Sequence, residues 1–119
     1  MIELSIQSHL EVAHYMPDFP EGHPNKRMHG HSYIITVTLR SETDVDVVED
    51  YDVLREKLDS VIKRFDHTLM NDWGLPSERP TMENMGRFLW MHLKERLPKL
   101  TRITLQRPTL NMTVVYEGK

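Results

Sequence analysis

The sequence predicts an α+β domain: an antiparallel sheet with two amphipathic helices on one of its faces. Three observations lead there. Apolar residues recur at every second position near both ends of the chain, they recur three and four apart in the middle, and a proline-rich stretch breaks the first strand-like run from the second. The expected order of elements is β-β-β-α-α-β-β, within a single domain spanning residues 1–119.

The opening IELSIQS places Ile2, Leu4 and Ile6 on one face and Glu3, Ser5 and Gln7 on the other, which predicts a half-buried strand running on toward His14. PDFPEGHPNK then holds three prolines and a glycine, a composition that denies regular hydrogen bonding and predicts a loop. Tyr33, Ile35, Val37 and Leu39 give the strongest strand pattern in the chain, and SETD predicts a turn into a shorter strand around Val45 to Glu49. From Asp52 the period changes. Leu54, Leu58, Val61, Ile62 and Phe65 fall on one helical stripe. DHTLMNDWGLPSERP reads as a loop closed by Pro80, after which Thr81 caps a second helix. Its apolar face comprises Met85, Phe88, Leu89, His92 or Leu93, and Leu97, and Pro98 stops it; Gly86 is its weak point. Ile103 and Leu105, then Met112, Val114 and Tyr116, alternate as two closing strands around a PTLN turn.

The bulk numbers narrow the functional classes. With 119 residues, 39% hydrophobic and 28% charged, the chain is long enough for one real core. Its 15 basic and 18 acidic residues are dispersed, so no basic stripe points to a nucleic-acid partner. No charged-then-apolar leader opens the chain and no apolar run approaches membrane-spanning length, which predicts a soluble, cytoplasmic protein without a membrane partner. The absence of cysteine excludes disulfides, thiolate metal sites and cysteine nucleophiles.

The informative segment is PNKRMHGHSYIITV. His29 and His31 stand at i and i+2 of the best strand, so both imidazoles project from one face and can reach one ion, whereas Gly30 faces away. Open zinc sites use three protein ligands, and imidazoles without thiolates suit that type. The third ligand comes from His9, His14, His23, His67 or His92; a hairpin-like return through the proline loop would bring His14 beside His31, which favours it. Hydrogen-bonded histidines at a polar strand entry are the alternative. RFDHTLMND supplies a second cluster, in which Asp66 and His67 form an acid/base unit if a turn points both into one pocket. Otherwise His67 simply complements the negative end of the preceding helix.

Five separated motifs, LEVAH, EGHPNKRMHGHSY, VVEDYDVLR, FDHTLMN and PTMEN, resemble in order and approximate spacing the 6-pyruvoyl-tetrahydropterin synthase and 6-carboxytetrahydropterin synthase family. The resemblance covers nearly the whole chain. It implies the tunnelling fold, in which each subunit supplies a four-stranded antiparallel sheet with two helices on one side and subunits assemble into a barrel, commonly a hexamer built as a dimer of trimers. It implies zinc held by His14, His29 and His31, and a catalytic pair of Asp66 and His67 in a site built where subunits meet. Zinc polarises a substrate oxygen in such a site, easing proton removal from the adjacent carbon and loss of a leaving group.

Two positions depart from the family pattern. The catalytic cysteine is replaced by Asn25, whose amide cannot carry a proton near neutral pH. The pterin-anchoring glutamate of a Glu-Thr pair is replaced by Pro108, followed by Thr109, which removes both the charge and the amide hydrogen. Arg107 beside them favours an anion such as a carboxylate or phosphate, unless it is a solvated strand-end residue. Some family members carry glutamate for the cysteine and cleave the pterin side chain in an aldolase-like manner; here Glu21 and His23 of the same loop are the candidate proton carriers, and neither occupies that position. The sequence therefore points first to a zinc-dependent lyase or synthase acting on a small molecule other than a standard pterin. The alternatives are a genuine pterin synthase with a substitute acid, and a non-catalytic zinc-binding oligomer.

Overall fold

The computed structural model describes residues Met1–Gly118. Strand β1 (Ile2–His14) pairs antiparallel with β2 (His29–Ser41) over its full length, from Ile2 opposite Ser41 to His14 opposite His29. The alternation in both sequences explains the match. Leu10 and Val12 of β1 and Tyr33, Ile35, Val37 and Leu39 of β2 all lie buried on one face, whereas Glu3, Ser5, Gln7 and His9 on the other are exposed. The proline-containing loop between the strands holds only one 3-10 turn, Pro24–Lys26, as its composition predicts.

Helix α1 (Tyr51–Phe65) begins where Asp50 Oδ1 accepts the Val53 N–H at 3.0 Å. Its stripe of Leu54, Leu58, Val61, Ile62 and Phe65 is buried in full. Helix α2 (Met82–Lys94) is capped by Thr81, whose hydroxyl oxygen accepts the Asn84 N–H at 3.2 Å. It presents Met85, Phe88, Leu89 and Leu93 to the same core and ends before Pro98 is reached. Gly86 faces the sheet. A Cβ there would meet Tyr116 Cβ at 3.5 Å and Leu105 Cδ1 at 3.7 Å. Burying side chains of this size contributes roughly 1.5–3 kcal/mol each, so the helix-facing side of the sheet carries most of the fold's stabilisation.

Strand β4 (Leu100–Arg107) pairs with β2, with an irregularity between Thr38 and Leu39, and β5 (Met112–Tyr116) pairs with β4. A two-residue strand, β3 (Thr68–Leu69), adds to β1 in parallel. The sheet order is β3-β1-β2-β4-β5, so the four long strands are antiparallel as expected and the fifth makes the sheet mixed.

The strand expected at Val45 to Glu49 does not form. Residues 42–50 have no strand structure, and only Val48 among them is buried. The reason is topological: β1 occupies one edge of β2 and β4 the other, so a segment leaving β2 finds no free edge. The third strand in chain order is instead β3, after α1.

Candidate metal centre and acid-base pair

The core face of the β1–β2 pair runs directly into the histidines. Moving toward the strand ends, Leu10 lies opposite Tyr33, Val12 opposite His31 and His14 opposite His29. His14 thus faces His29 directly and His31 on the diagonal, two residues away from the pairing expected from the loop alone. The three rings form a compact triangle with centroids 4.6, 4.9 and 4.7 Å apart. One ligand nitrogen from each lies within 4.8 Å of the others.

Backbone carbonyls fix two of the three rings. His14 Nδ1 donates to Pro80 O at 2.8 Å and His29 Nδ1 donates to Arg27 O at 2.6 Å. With the hydrogens on Nδ1, both Nε2 atoms present lone pairs, and these face each other at 3.1 Å. Two acceptors at that distance with no donor between them repel unless a cation lies between. Tetrahedral zinc with bonds of about 2.0–2.1 Å would set neighbouring nitrogens about 3.3–3.4 Å apart, close to the spacing found. The donor set therefore fits zinc, and the carbonyl partners orient it as outer-shell groups do in metal sites. Burial, followed by the charge of Arg107 and the neighbouring imidazoles, pushes His31 down to about 4. Burial also lowers His14, against the raising effect of its bond to Pro80. Both rings are held in the neutral form that can ligate.

The trio lines a cavity of about 160 Å3 with Asn25, Tyr33, Glu83 and Arg107. Asn25 is therefore beside the histidines; its carbonyl accepts the Met16 N–H at 2.8 Å. Burial pushes the Tyr33 hydroxyl up to about 12, so it stays protonated. Arg107 is not a solvated strand end: its Nε is buried with no hydrogen-bond partner.

Asp66 and His67 come together where α1 ends. The Asp66 N–H caps Ile62 O, and the chain then turns through a left-handed His67 with φ of 61°. Asp66 Oδ2 accepts from His67 Nδ1 at 2.8 Å, leaving Nε2 as the basic nitrogen. Strand β1 grips this turn through its main chain: the Glu11 N–H donates to Asp66 Oδ1 at 2.7 Å, and Glu11 O accepts the His67 N–H at 2.6 Å. Burial raises the Asp66 carboxyl, but the Glu11 N–H and the His67 contacts outweigh it and hold the group below its ordinary value. A left-handed non-glycine residue costs of order 1–3 kcal/mol and marks many functional sites.

His67 opens on a second cavity of about 640 Å3, lined on the helix-free face by Glu11, Ala13, Gly30 and Ser32 and also by Thr109. His31 borders both cavities, whereas His14 and His29 line only the smaller one. Within one chain the trio and His67 are thus not gathered in a single pocket. Glu21 and His23 line neither cavity: Glu21 is 89% exposed and pairs with Lys26, while His23 caps the 3-10 turn and packs on Phe19. Sequence reasoning missed Glu11 and Pro80 as supporting residues. Both act through main-chain atoms, and no side-chain pattern announces such a role.

Four long antiparallel strands backed on one face by two helices, with the site at the strand ends, define a tunnelling-fold domain. The chain belongs to the 6-pyruvoyl tetrahydropterin synthase family, whose sequence model matches residues 3–119. It is 34% identical over 92 residues to a 6-carboxy-5,6,7,8-tetrahydropterin synthase of Synechocystis, covering 71% of this chain and 69% of the relative. It is 28% identical over 99 residues to a dihydroneopterin monophosphate aldolase of Pyrococcus furiosus, covering 76% of this chain and 84% of the relative. In structure it resembles the 6-pyruvoyl tetrahydropterin synthase of Caenorhabditis elegans, with a TM-score of 0.81 at 21% identity over 99% of this chain and 96% of the other. Among the described residues no helix is long and apolar enough to cross a membrane.

Proposed function

We propose that the chain is a zinc-dependent, lyase-type enzyme that removes a proton from a small substrate as the first step of elimination, retro-aldol cleavage or isomerisation. The observation that carries the reading is the convergence of His14, His29 and His31, with two Nε2 lone pairs facing each other at 3.1 Å. When bound there, zinc would supply Lewis acidity to a substrate oxygen. His67 acts as the base through Nε2. Asp66 fixes its tautomer and stabilises the imidazolium once the proton has been taken.

Because His67 lies outside the cavity that holds His14 and His29, the working site joins the trio of one copy to the Asp66-His67 pair of another. The barrel assembly implied by the family, a hexamer formed as a dimer of trimers, provides that juxtaposition. Mixing His14→Ala and His67→Ala chains under subunit exchange would then restore activity that neither has alone. A homogeneous monomer at full activity would refute the shared site.

The substrate departs from a standard pterin in this reading, because Pro108 opens a 3-10 turn where a ring-anchoring carboxylate is expected. A second reading keeps the pterin and changes the acid. It is favoured by the relatives, which are named as a pterin synthase and a pterin aldolase. Zinc-loaded protein incubated with dihydroneopterin monophosphate and triphosphate, with products followed by mass spectrometry, separates the two: pterin turnover selects the second. On any substrate that turns over, His67→Ala should abolish activity with zinc content unchanged. Unchanged activity would remove His67 as the base.

A further inference from the structure

Beside the three histidines lies a charge without a counterpart. Arg107 ends β4 on the core face, where it lines the 160 Å3 cavity with His14, His29 and His31. Its Nε is buried and makes no hydrogen bond, and among the described residues Arg107 takes part in no ion pair. The one carboxylate in the lining, Glu83 at the start of α2, is exposed and makes no ion pair with it. A buried donor on a charged group left unsatisfied is costly, and a dication at the trio would place a second positive centre in the same small space. Two cations facing a common cavity call for an anion between them.

We propose that Arg107 anchors an oxyanion of the substrate, a carboxylate or a phosphate, inside the histidine cavity. The cavity volume agrees with this occupant. At 160 Å3 it is below the roughly 300–1,000 Å3 typical of pockets for whole small molecules, so it takes one end of a substrate. The remainder would extend out of it. Arginine suits the task because its planar fork donates two parallel hydrogen bonds to planar or tetrahedral oxyanions. The inference rests on the proposed function in taking this cavity as the substrate site, but the anchor can be tested without turnover and without zinc.

Inorganic phosphate and acetate are titrated calorimetrically into the full-length protein, metal-free and zinc-loaded, as wild type, Arg107→Gln and Arg107→Lys. Wild type should bind at least one of the two anions saturably in both forms, and more tightly with zinc. Arg107→Gln should weaken that binding at least tenfold with zinc content unchanged, and Arg107→Lys should fall between. Which anion binds tighter assigns the carboxylate or phosphate source. In unmutated protein, phenylglyoxal modification of Arg107, read by mass spectrometry, should be blocked by the bound anion. Equal anion affinity in wild type and Arg107→Gln, or modification unaffected by saturating anion, overturns the proposal. Failure to bind zinc with the anion results intact would instead overturn the metal reading alone.

Discussion

Zinc should stabilise this chain against heat, and removing His14 should erase the effect. The site is preformed: His14 and His29 are already held by Pro80 O and Arg27 O, and their Nε2 atoms stand 3.1 Å apart, within a few tenths of an ångström of the tetrahedral spacing. Little binding energy is therefore lost to ordering the ligands. At a free zinc concentration one hundred times the dissociation constant, linkage contributes about 2.7 kcal/mol. An unfolding entropy of about 2.1 cal/mol/K per residue over 119 residues amounts to about 0.25 kcal/mol/K. The expected rise in Tm is thus about 11 °C. His14→Ala, leaving two ligands, should respond by less than about a third of that. The assay is differential scanning fluorimetry of metal-stripped protein with and without buffered zinc, at one fixed chain concentration so that Tm values are compared under the same conditions. A wild-type Tm unmoved by zinc, or an equal shift in His14→Ala, would refute the assignment.

Two further outcomes concern the scaffold. The Asp66 carboxyl is held below its ordinary value in the fold, so its stabilising contribution is complete above the unfolded value near 4 and is lost as pH falls through the lower folded value. The stability gap between wild type and Asp66→Asn in urea titrations should be constant above about pH 5 and close as pH drops below the ordinary carboxylate range; a gap independent of pH contradicts the hydrogen-bond account. Gly86→Ala should stabilise the protein by up to about 1 kcal/mol, because the added Cβ meets Tyr116 and Leu105 at ordinary contact distances of 3.5 and 3.7 Å. A lowered Tm would mean that α2 sits closer to the sheet than these distances indicate.

Much of this architecture is legible in the sequence because it depends on local periodicity. The period-two runs of β1 and β2 and the stripe from Leu54 to Phe65 each require burial of one face, and each is buried. The segment at Val45 to Glu49 is misread because strand formation depends on a free edge, and the edges of β2 are occupied by residues far away in sequence. Strand β3 is missed for a different reason: two residues are too few to show any period. At the site, the i, i+2 spacing of His29 and His31 and the strand-end place of His14 are enough to propose a shared ion. The pairing of His14 with His29 instead depends on loop length, which composition does not encode. Likewise nothing around Arg107 foretells that its Nε is enclosed, since the cavity it lines is built by residues far away in sequence, His14, Tyr33 and Met82 among them.

The main-chain clasp of Glu11 on the Asp66-His67 turn has an evolutionary corollary. The donor and the acceptor that fix the turn are the amide and carbonyl of residue 11, while its side chain points into the 640 Å3 cavity and accepts from Ser32 Oγ. Anchoring and lining are thus separate duties of one position. Any residue except proline supplies the same clasp, so the wall of the large cavity can be rewritten at position 11 while the Asp66-His67 turn keeps its place. Within this scaffold, the large cavity's wall at residue 11 can change independently of the Asp66-His67 turn that the same residue anchors.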